Sequence, residues 1–397
     1  MTVPSLTRVM SGAPLAAAGG MLTVTPHDPP AWARVLRHIP KTRVRLAMTP
    51  TPVHRWHLPG VPEGCEVYVK RDDLTGAQLS GNKVRKLEFL LADALARDAD
   101  CVVTIGAVQS NHARATAVAA RYLGLDAHLV LRAPQSIVDA GDPGMDGNLM
   151  IERAAGARVH LVSKRDYAKI GGPALGEGLR RRLEREGRKP YVVPVGGSDA
   201  LGTWGYVRMM DELDAQLRDG DGDGDGDGFF TDVAMACGSG GTTAGVALGC
   251  ALCPTLASVR VRAYGVCDTP EYHREFVRGI LRDMGADADA VDRAVGAVDF
   301  VQAKGLGYAM STDEEMRVAA EVAATTGIVL DPTYGGKAVA TMLREMKESP
   351  RDWTGRRVLF VHTGGAAGMY AAIPQLRKLV HPAERYRLED AETNQEE

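Results

Sequence analysis

Short apolar segments alternate along this chain with segments in which apolar residues recur every three or four positions. The helical spacing is clearest from Val84 to Leu95, where Leu87, Leu90 and Leu91 fall on the same face. The short apolar segments predict buried strands at 99–105, 127–131, 159–162, 191–194, 233–237, 259–266 and 358–361. Strands that alternate with helices are typical of parallel sheets with helices on both faces, so the sequence predicts an α/β fold.

The predicted helix after Asn82 begins with a lysine in an unusual position. Lys83 follows a Gly81-Asn82 turn, just beyond a predicted strand that ends in the charged residues 70–73. At the amino end of a helix, the macrodipole and the free N–H groups disfavour a protonated amine and favour a nearby anion. A lysine with a lowered pKa is what Schiff-base chemistry requires. Lys83 is therefore a candidate for covalent catalysis rather than an ordinary surface lysine.

Four polar residues lie at a second predicted strand-to-helix turn. The strand at 99–105 is followed by Gln109, Ser110, Asn111 and His112, and then by a helix that reaches residue 122. Side chains and free N–H groups in such a turn can bind a carboxylate and a phenolate-like oxygen. The same residues also fit a helix N-cap with ordinary loop polarity, and the pattern alone leaves both interpretations open.

A glycine-rich loop follows the predicted strand at 233–237. Its residues are Gly238, Ser239, Gly240, Gly241 and Thr242, and a helix rich in small residues comes next. Glycines allow backbone amides to converge on a phosphate, and the helix dipole adds to the attraction. The spacing matches neither the dinucleotide fingerprint nor the Walker loop. A phosphate-binding loop together with a candidate Schiff-base lysine indicates pyridoxal 5′-phosphate, which needs both.

These landmarks resemble the D-cysteine desulfhydrase and 1-aminocyclopropane-1-carboxylate deaminase family, within the tryptophan synthase β-like (fold-type II) pyridoxal-phosphate enzymes. The resemblance runs from about Thr51 to Gly368, and its landmarks lie at 70–73, 80–83, 109–112, 238–242, 331–334 and 362–365. It implies a homodimer of two-domain subunits. A small domain at 86–196 would be inserted into a large cofactor-binding domain at 49–85 and 197–397, after an extended N-terminal segment at 1–48.

The resemblance also implies a set of site residues. Lys83 would bind the cofactor covalently, and Asn111 would contact its phenolic oxygen. The remaining cofactor contacts would be Asn82, Lys86, Gly238, Ser239, Gly240, Gly241, Thr242 and Thr363. The substrate would be bound by Gln109, Ser110 and His112, with Ser110 on its carboxylate. The catalytic residues would be Lys83, Ser110, Tyr308 and Tyr334, and no metal is expected.

Two positions distinguish the branches of this family. The deaminase pattern has a glutamate after the second tyrosine, placed to protonate the pyridine nitrogen, whereas this chain has Gly335. Thr363 resembles the desulfhydrase pattern, in which a hydroxyl faces that nitrogen. A neutral partner weakens the ring as an electron sink and favours prompt loss of a β-leaving group.

The resemblance is thus closest to D-cysteine desulfhydrase and implies elimination of D-cysteine to pyruvate, hydrogen sulfide and ammonia. The preference for the D enantiomer rests on the resemblance alone. Two alternatives stay open: a 1-aminocyclopropane-1-carboxylate deaminase, and a homeostasis protein that retains the cofactor with little catalysis.

Composition and charge agree with an enzyme that acts on a small amino acid. A chain of 397 residues with 45% hydrophobic content can bury a large core and exceeds the usual size of one domain. The net charge of −3 offers no basic field for nucleic acid. No apolar run approaches the roughly 20 residues that a membrane span needs. We expect an intracellular protein, cytoplasmic or mitochondrial.

The six cysteines are expected to be reduced, as is usual inside cells. Cys250 and Cys253 have the spacing of a zinc or redox pair, but no second pair or histidine accompanies them. This spacing alone therefore carries no prediction of a metal site.

Two segments have a biased composition. Before Asp28 the one charged residue is Arg8, which is compatible with part of an organellar transit peptide, although the repeated arginines are missing. A flexible terminus is expected there. Residues 219–228 alternate Asp and Gly and predict a solvated loop. Calcium binding is not expected, because the bidentate glutamate of the known loop is absent.

Overall fold

A computed structural model describes residues 20–219 and 229–383. The start of the N-terminal segment and the Asp-Gly segment after Asp219 lie outside the described residues. The strands are β1 Val24–Pro26, β2 Thr42–Val44, β3 Val53–Arg55, β4 Glu66–Lys70, β5 Cys101–Ala107, β6 Asp126–Ala133, β7 Arg158–Ser163, β8 Pro190–Val192, β9 Asp232–Cys237, β10 Arg260–Gly265, β11 Val298–Gln302 and β12 Arg357–Val361.

The α-helices follow the strands in alternation along most of the chain. They are α1 Lys83–Ala96, α2 Asn111–Tyr122, α3 Gln135–Ala140, α4 Asn148–Ala154, α5 Lys164–Ile170, α6 Gly172–Arg185, α7 Ala200–Arg218, α8 Gly241–Leu252, α9 Pro270–Asp283, α10 Ala288–Gly296, α11 Asp313–Thr326, α12 Gly335–Glu348, α13 Ala367–Ala371 and α14 Ile373–Leu376. None of these described helices combines the length and apolar character that crossing a bilayer requires.

The strands form two large sheets and one small one. The orders are β11-β10-β9-β12-β4-β3 in the six-stranded sheet, β7-β6-β5-β8 in the four-stranded sheet and β1-β2 in the small sheet. Pairing in the two large sheets is parallel except between β3 and β4. That exception was not predicted. Residues 56–65 connect β3 to β4, and this connection is shorter than a parallel crossover needs.

Both large sheets are covered on their two faces. Along β9, Val233 and Met235 belong to one core cluster, whereas Ala234 belongs to the cluster on the opposite face. Along β5, Val102 and Val103 divide in the same way between two clusters. Successive side chains of a strand point to opposite faces, so each sheet is buried between two layers.

The distribution of strands is the basis for a division of the chain into two domains. All strands of the four-stranded sheet lie between residues 101 and 192, whereas the six-stranded sheet takes strands from both sides of that range. We keep the division into 49–85 with 197–397 and 86–196 as a proposal.

Residues 24–48 of the N-terminal segment pack against the rest of the chain. β1 pairs with β2 in antiparallel register. The carboxylate of Glu88 in α1 accepts hydrogen bonds from the backbone N–H groups of Leu46 at 2.9 Å and Ala47 at 3.0 Å. The His27 ring packs against Phe89, with ring centroids 4.9 Å apart. These contacts join partners distant in sequence, which a composition argument does not detect.

A buried ion network holds the first turn of α1 against β4 and α7. Arg85 pairs with Asp72 at 2.8 Å and with Glu212 at 2.9 Å, and Lys70 pairs with Glu212 at 2.6 Å. Burial alone would raise the pKa of Glu212, but the charges of Arg85 and Lys70 outweigh it and lower the pKa from 4.5 to about 2. The carboxylate therefore stabilises the fold in its charged form.

We expect Glu212→Gln to lower the free energy of unfolding by about 3 kcal/mol at pH 7, because it leaves two buried cations without their shared anion. A carboxyl whose pKa is lowered by folding contributes stability above its unfolded pKa and loses it as the pH falls through the folded pKa. The difference between wild type and variant should shrink from pH 4.5 towards pH 2. Urea unfolding at several pH values measures this difference in the free energy of unfolding.

Glu184→Gln, in an exposed pair with Arg180, is the matched control and should change the free energy of unfolding little. A difference independent of pH would contradict the argument.

Candidate active site

The amino ends of α1, α2 and α8 and the loop after β12 meet at one cavity. Its lining residues are Asn82, Lys83, Lys86, Asn111, Ala236, Cys237, Gly238, Ser239, Gly240, Thr242, Thr243, Tyr334 and Thr363. Free N–H groups at helix amino ends attract anions, so this cavity is suited to a negatively charged ligand. We call it the inner cavity.

A wider cavity adjoins the inner one and shares Lys83 and Tyr334 with it. Ser110, His112 and Tyr308 line the wider cavity. The structure therefore brings predicted cofactor residues and predicted substrate residues to two connected spaces, with Lys83 between them. We call the second space the outer cavity.

Two buried amines lie at the inner cavity, and within residues 20–219 and 229–383 neither forms an ion pair with a carboxylate. The Nζ of Lys83 donates to the carbonyl of Gly196 at 3.3 Å, and the Nζ of Lys86 donates to the Oγ of Ser198 at 2.8 Å. Burial lowers the pKa of Lys83 to about 8. Burial and the charge of Lys83 hold the pKa of Lys86 well below its usual value. Buried cations require an anion, so the residues present fit a phosphate group.

The backbone of Gly240 and two side-chain contacts shape the glycine-rich loop. Gly240 adopts a φ of +82°, a left-handed conformation that glycine tolerates. The Nδ2 of Asn82 donates to the Oγ1 of Thr242 at 2.9 Å, which ties the start of α1 to the start of α8. The hydroxyls of Ser239 and Ser198 lie 2.7 Å apart.

Gly196 and Ser198 belong to the site but were not predicted. A Cβ on Gly196 would lie 2.1 Å from the Oγ of Ser239, so only glycine fits there. The Gly-Gly-Ser sequence at 196–198, directly after an apolar strand segment, was the signal that could have found them.

A chain of hydrogen bonds fixes the orientation of Asn111. An arginine can only donate, and the Nε of Arg114 donates to the Oδ1 of Asn148 at 2.9 Å. The Nδ2 of Asn148 in turn donates to the Oδ1 of Asn111 at 3.0 Å. The Nδ2 of Asn111 is thereby left as a donor at the inner cavity, as the phenolic oxygen of pyridoxal phosphate requires. Sequence offered no signal for Arg114 or Asn148, because their role depends on a contact between α2 and α4.

Three of the four polar residues at the start of α2 line one of the two cavities, and the fourth, Gln109, does not. Ser110 is the N-cap of α2, and its Oγ accepts from the N–H of Ala113 at 3.1 Å. His112 is buried, and burial followed by the charges of Lys83 and Lys86 lowers its pKa well below the usual value, so the ring is neutral.

Gln109 lines neither of these two cavities. Its amide donates to the carbonyl of Asp146 at 3.0 Å and accepts from the N–H of Asn148 at 3.0 Å. The structure thus does not bring Gln109 to the substrate space, where the resemblance had placed it.

Tyr308 and Tyr334 form a pair between the two cavities. Their hydroxyls lie 2.8 Å apart. Burial raises the pKa of both phenols, so both are protonated at neutral pH. Asp331 holds the chain at Tyr334 by accepting from its N–H at 2.9 Å. Lys337 donates to the carbonyls of Lys304 and Met310, which fixes both ends of the loop that carries Tyr308.

The lining of the inner cavity includes hydroxyl groups but no carboxylate in the part of the chain that is described. Thr363 lines it, and no Asp or Glu does. Gly335 is the first residue of α12, and its N–H donates to Asp331 at 2.7 Å. The hydroxyl of Thr363 is therefore a neutral partner for a bound ring, and no carboxylate of the described chain lines this cavity.

The cysteines are all free thiols, and Cys250 and Cys253 are buried at the end of α8. Within 20–219 and 229–383, one group of three potential metal ligands occurs, made of Cys267, Asp268 and His273. It does not include the Cys250 and Cys253 pair.

The geometry agrees with comparisons to known proteins. A family model described as pyridoxal-phosphate dependent enzyme matches residues 44–364, and the chain belongs to this family. The predicted α/β fold and the predicted cofactor are confirmed. The glycine loop and Lys86 would hold the phosphate of pyridoxal phosphate, and Lys83 would supply the amine that reacts with its aldehyde.

Individual relatives of known name match this chain over most of their length. The chain is 48% identical over 373 residues to the bifunctional D-cysteine desulfhydrase/1-aminocyclopropane-1-carboxylate deaminase, mitochondrial, of Arabidopsis thaliana, covering 94% of this chain and 90% of the relative. It is 36% identical to a D-cysteine desulfhydrase of Yersinia pestis (strain Pestoides F), covering 79% and 90%. A crystal structure of an ACC deaminase homologue matches with a TM-score of 0.71 at 33% identity, covering 88% and 99%.

Proposed function

We propose that this protein is a carbon-sulfur lyase that converts D-cysteine and water to pyruvate, hydrogen sulfide and ammonia. The observation that carries the proposal is that Thr363 lines the inner cavity, whereas no Asp or Glu of the described chain does and Gly335 has no side chain. A neutral partner for the ring favours prompt loss of a β-leaving group. The names of the Arabidopsis thaliana and Yersinia pestis relatives support the same substrate.

Different residues of the site have different roles in the reaction. Pyridoxal phosphate, when bound, supplies the electron sink that stabilises charge at the substrate Cα. Lys83, with a pKa of about 8, holds a substantial neutral fraction near neutral pH and takes the Cα proton. Ser110 binds the substrate carboxylate. Tyr308 and Tyr334 are neutral phenols in mutual contact, and one of them donates a proton to the departing sulfur.

A second candidate function is deamination of 1-aminocyclopropane-1-carboxylate. The bifunctional name of the Arabidopsis thaliana relative and the ACC deaminase homologue favour it, whereas Gly335 disfavours it. A third candidate is a cofactor-retaining homeostasis protein with little catalysis.

Parallel assays distinguish these functions. We expect sulfide and pyruvate from D-cysteine, with slower release from L-cysteine and little 2-oxobutanoate from the cyclopropane substrate. Preferential turnover of the cyclopropane acid would reverse the assignment. Cofactor absorbance without any keto acid from either substrate would favour the homeostasis protein.

Ser110→Ala is expected to raise KM for D-cysteine by about tenfold or more, because a hydrogen bond to a charged carboxylate contributes about 1.5–3 kcal/mol. The change also removes the N-cap of α2, which costs about 1 kcal/mol of stability. Ser163→Ala is the matched control, since Ser163 caps α5 in the same way but lines neither cavity. Steady-state kinetics and thermal unfolding of both variants separate the two effects. An unchanged KM in Ser110→Ala would remove Ser110 from the site.

The assembly and location complete the proposal. We infer a homodimer from the family resemblance, and an intracellular location, cytoplasmic or mitochondrial. The word mitochondrial in the name of the Arabidopsis thaliana relative supports the second of these locations. Light scattering and cell fractionation test the two points.

A further inference from the structure

Arg132 is a cation of the outer cavity that the proposed reaction does not use. It lies in β6 and lines the cavity together with Lys83 and Tyr308. Its guanidinium stacks on the rings of Tyr167 and Tyr308, 5.1 Å and 5.5 Å from their centroids. Within the described ranges, its side chain has no ion pair and donates no hydrogen bond to the protein. Two aromatic rings thus orient a charged group whose donors are left for a ligand.

The other charges of the outer cavity do not neutralise Arg132. The acidic side chains in its wall have partners of their own: Glu177 pairs with Arg180, Asp199 caps the first turn of α7, and Asp268 contacts the Cys267 thiol. Lys304 also lines this cavity and is exposed, so it adds positive charge. None of these three carboxylates forms an ion pair with Arg132 in the described ranges, so its guanidinium is available to an anionic ligand.

The position of Arg132 indicates which part of a substrate it meets. It packs on Tyr308, whose hydroxyl contacts that of Tyr334. These tyrosines are the proposed proton donors to the departing β-group, whereas Ser110 is assigned to the substrate carboxylate. On the basis of its contact with Tyr308, we assign Arg132 to the side of the β-substituent.

We propose that Arg132 forms an anion subsite that selects amino acids whose β-substituent carries negative charge. This inference rests on the proposed function and names the substrate class of the same site. A guanidinium presents a planar fork of donors that matches the oxygens of sulfinate, sulfonate or phosphate groups. The thiolate form of cysteine is the smallest member of this class, and oxyanion-substituted alanines would use more of the donors.

Binding of unreactive ligands to the holoenzyme tests the subsite. 3-Sulfopropionate has a carboxylate and a distal sulfonate but no amine, so it cannot react with the cofactor, and butyrate lacks the distal charge. We expect wild type to bind 3-sulfopropionate about tenfold more tightly than butyrate, as measured by calorimetry. This preference should disappear in Arg132→Met and should be partly kept in Arg132→Lys.

Arg97→Met is the matched control, because Arg97 also stacks on a tyrosine, Tyr191, but lies outside the outer cavity. It should keep the wild-type preference. Equal weakening of both ligands in Arg132→Met would place Arg132 on the substrate carboxylate and overturn the proposal. No preference in wild type would also overturn it. If Arg132→Met does not fold, as judged by unfolding and cofactor content, Arg132→Gln replaces it.

The proposal of the anion subsite and the proposed function can be refuted independently of each other. Ligand preference is measured without turnover, whereas D-cysteine elimination is measured by sulfide release. An arginine-dependent preference without sulfide release from D-cysteine would support the anion subsite and refute the proposed substrate.

The kcat/KM for O-phospho-D-serine relative to β-chloro-D-alanine should fall about tenfold or more in Arg132→Met. An unchanged ratio would overturn selection by Arg132 during turnover.

Discussion

Lys83→Ala is expected to abolish covalent attachment of the cofactor and to lower turnover by about a thousandfold. Lys83 is the amine shared by the inner and outer cavities, and burial lowers its pKa to about 8. A fraction of the amine is therefore neutral and nucleophilic near neutral pH. Lys86, the second buried amine that lines the inner cavity, donates to Ser198 and does not line the outer cavity, so it does not replace Lys83 at the substrate.

Borohydride reduction followed by peptide mass spectrometry measures the attachment directly. The wild-type peptide that contains Lys83 should gain the mass of the reduced cofactor, and no peptide should gain it in Lys83→Ala. Lys347→Ala, an exposed lysine of α12, is the control for loss of a lysine far from the site. Attachment to the Lys86 peptide in wild type, or wild-type turnover in Lys83→Ala, would refute the assignment.

Lys86→Met should weaken binding of the cofactor phosphate by about ten- to a hundredfold, because a hydrogen bond between charged groups is lost. In the protein without a phosphate ligand, burial and Lys83 hold the pKa of Lys86 well below its usual value. A bound phosphate would raise that pKa, so binding takes up a proton. The affinity of wild type should therefore fall as the pH rises. Lys86→Met should lose part of this dependence and keep the part due to Lys83.

Pyridoxine 5′-phosphate is the appropriate ligand for this measurement, since it lacks the aldehyde that reacts with Lys83. Its dissociation constant from the apoenzyme, followed by fluorescence between pH 6.5 and 9, reports the phosphate contact without the covalent bond. Lys304→Met is the matched control, because Lys304 lines the outer cavity and not the inner one. The same affinity and pH dependence in Lys86→Met as in wild type would exclude Lys86 from the phosphate site.

Local sequence patterns were sufficient to predict the helices and the strand that carry the proposed cofactor residues. The period of Val84, Leu87 and Leu90 predicted a helix that begins at Lys83, and α1 begins there. The apolar run at 233–237 and the glycines after it predicted the strand and turn that form β9 and the start of α8. These features depend on spacing within a few residues, which a sequence displays directly.

By itself, the sequence determined the α/β class, the lysine at a helix start and the glycine loop that fits phosphate. Only the tertiary structure decided that Gly196 and Ser198 accept hydrogen bonds from the buried lysine amines, that Asn148 orients Asn111, and that Gln109 lines neither cavity. It also decided that Arg132 meets Tyr308 without an acidic partner in the described chain. The physical reason is that these contacts join residues distant in sequence. Their geometry is set by how sheets and helices pack, which no local spacing records.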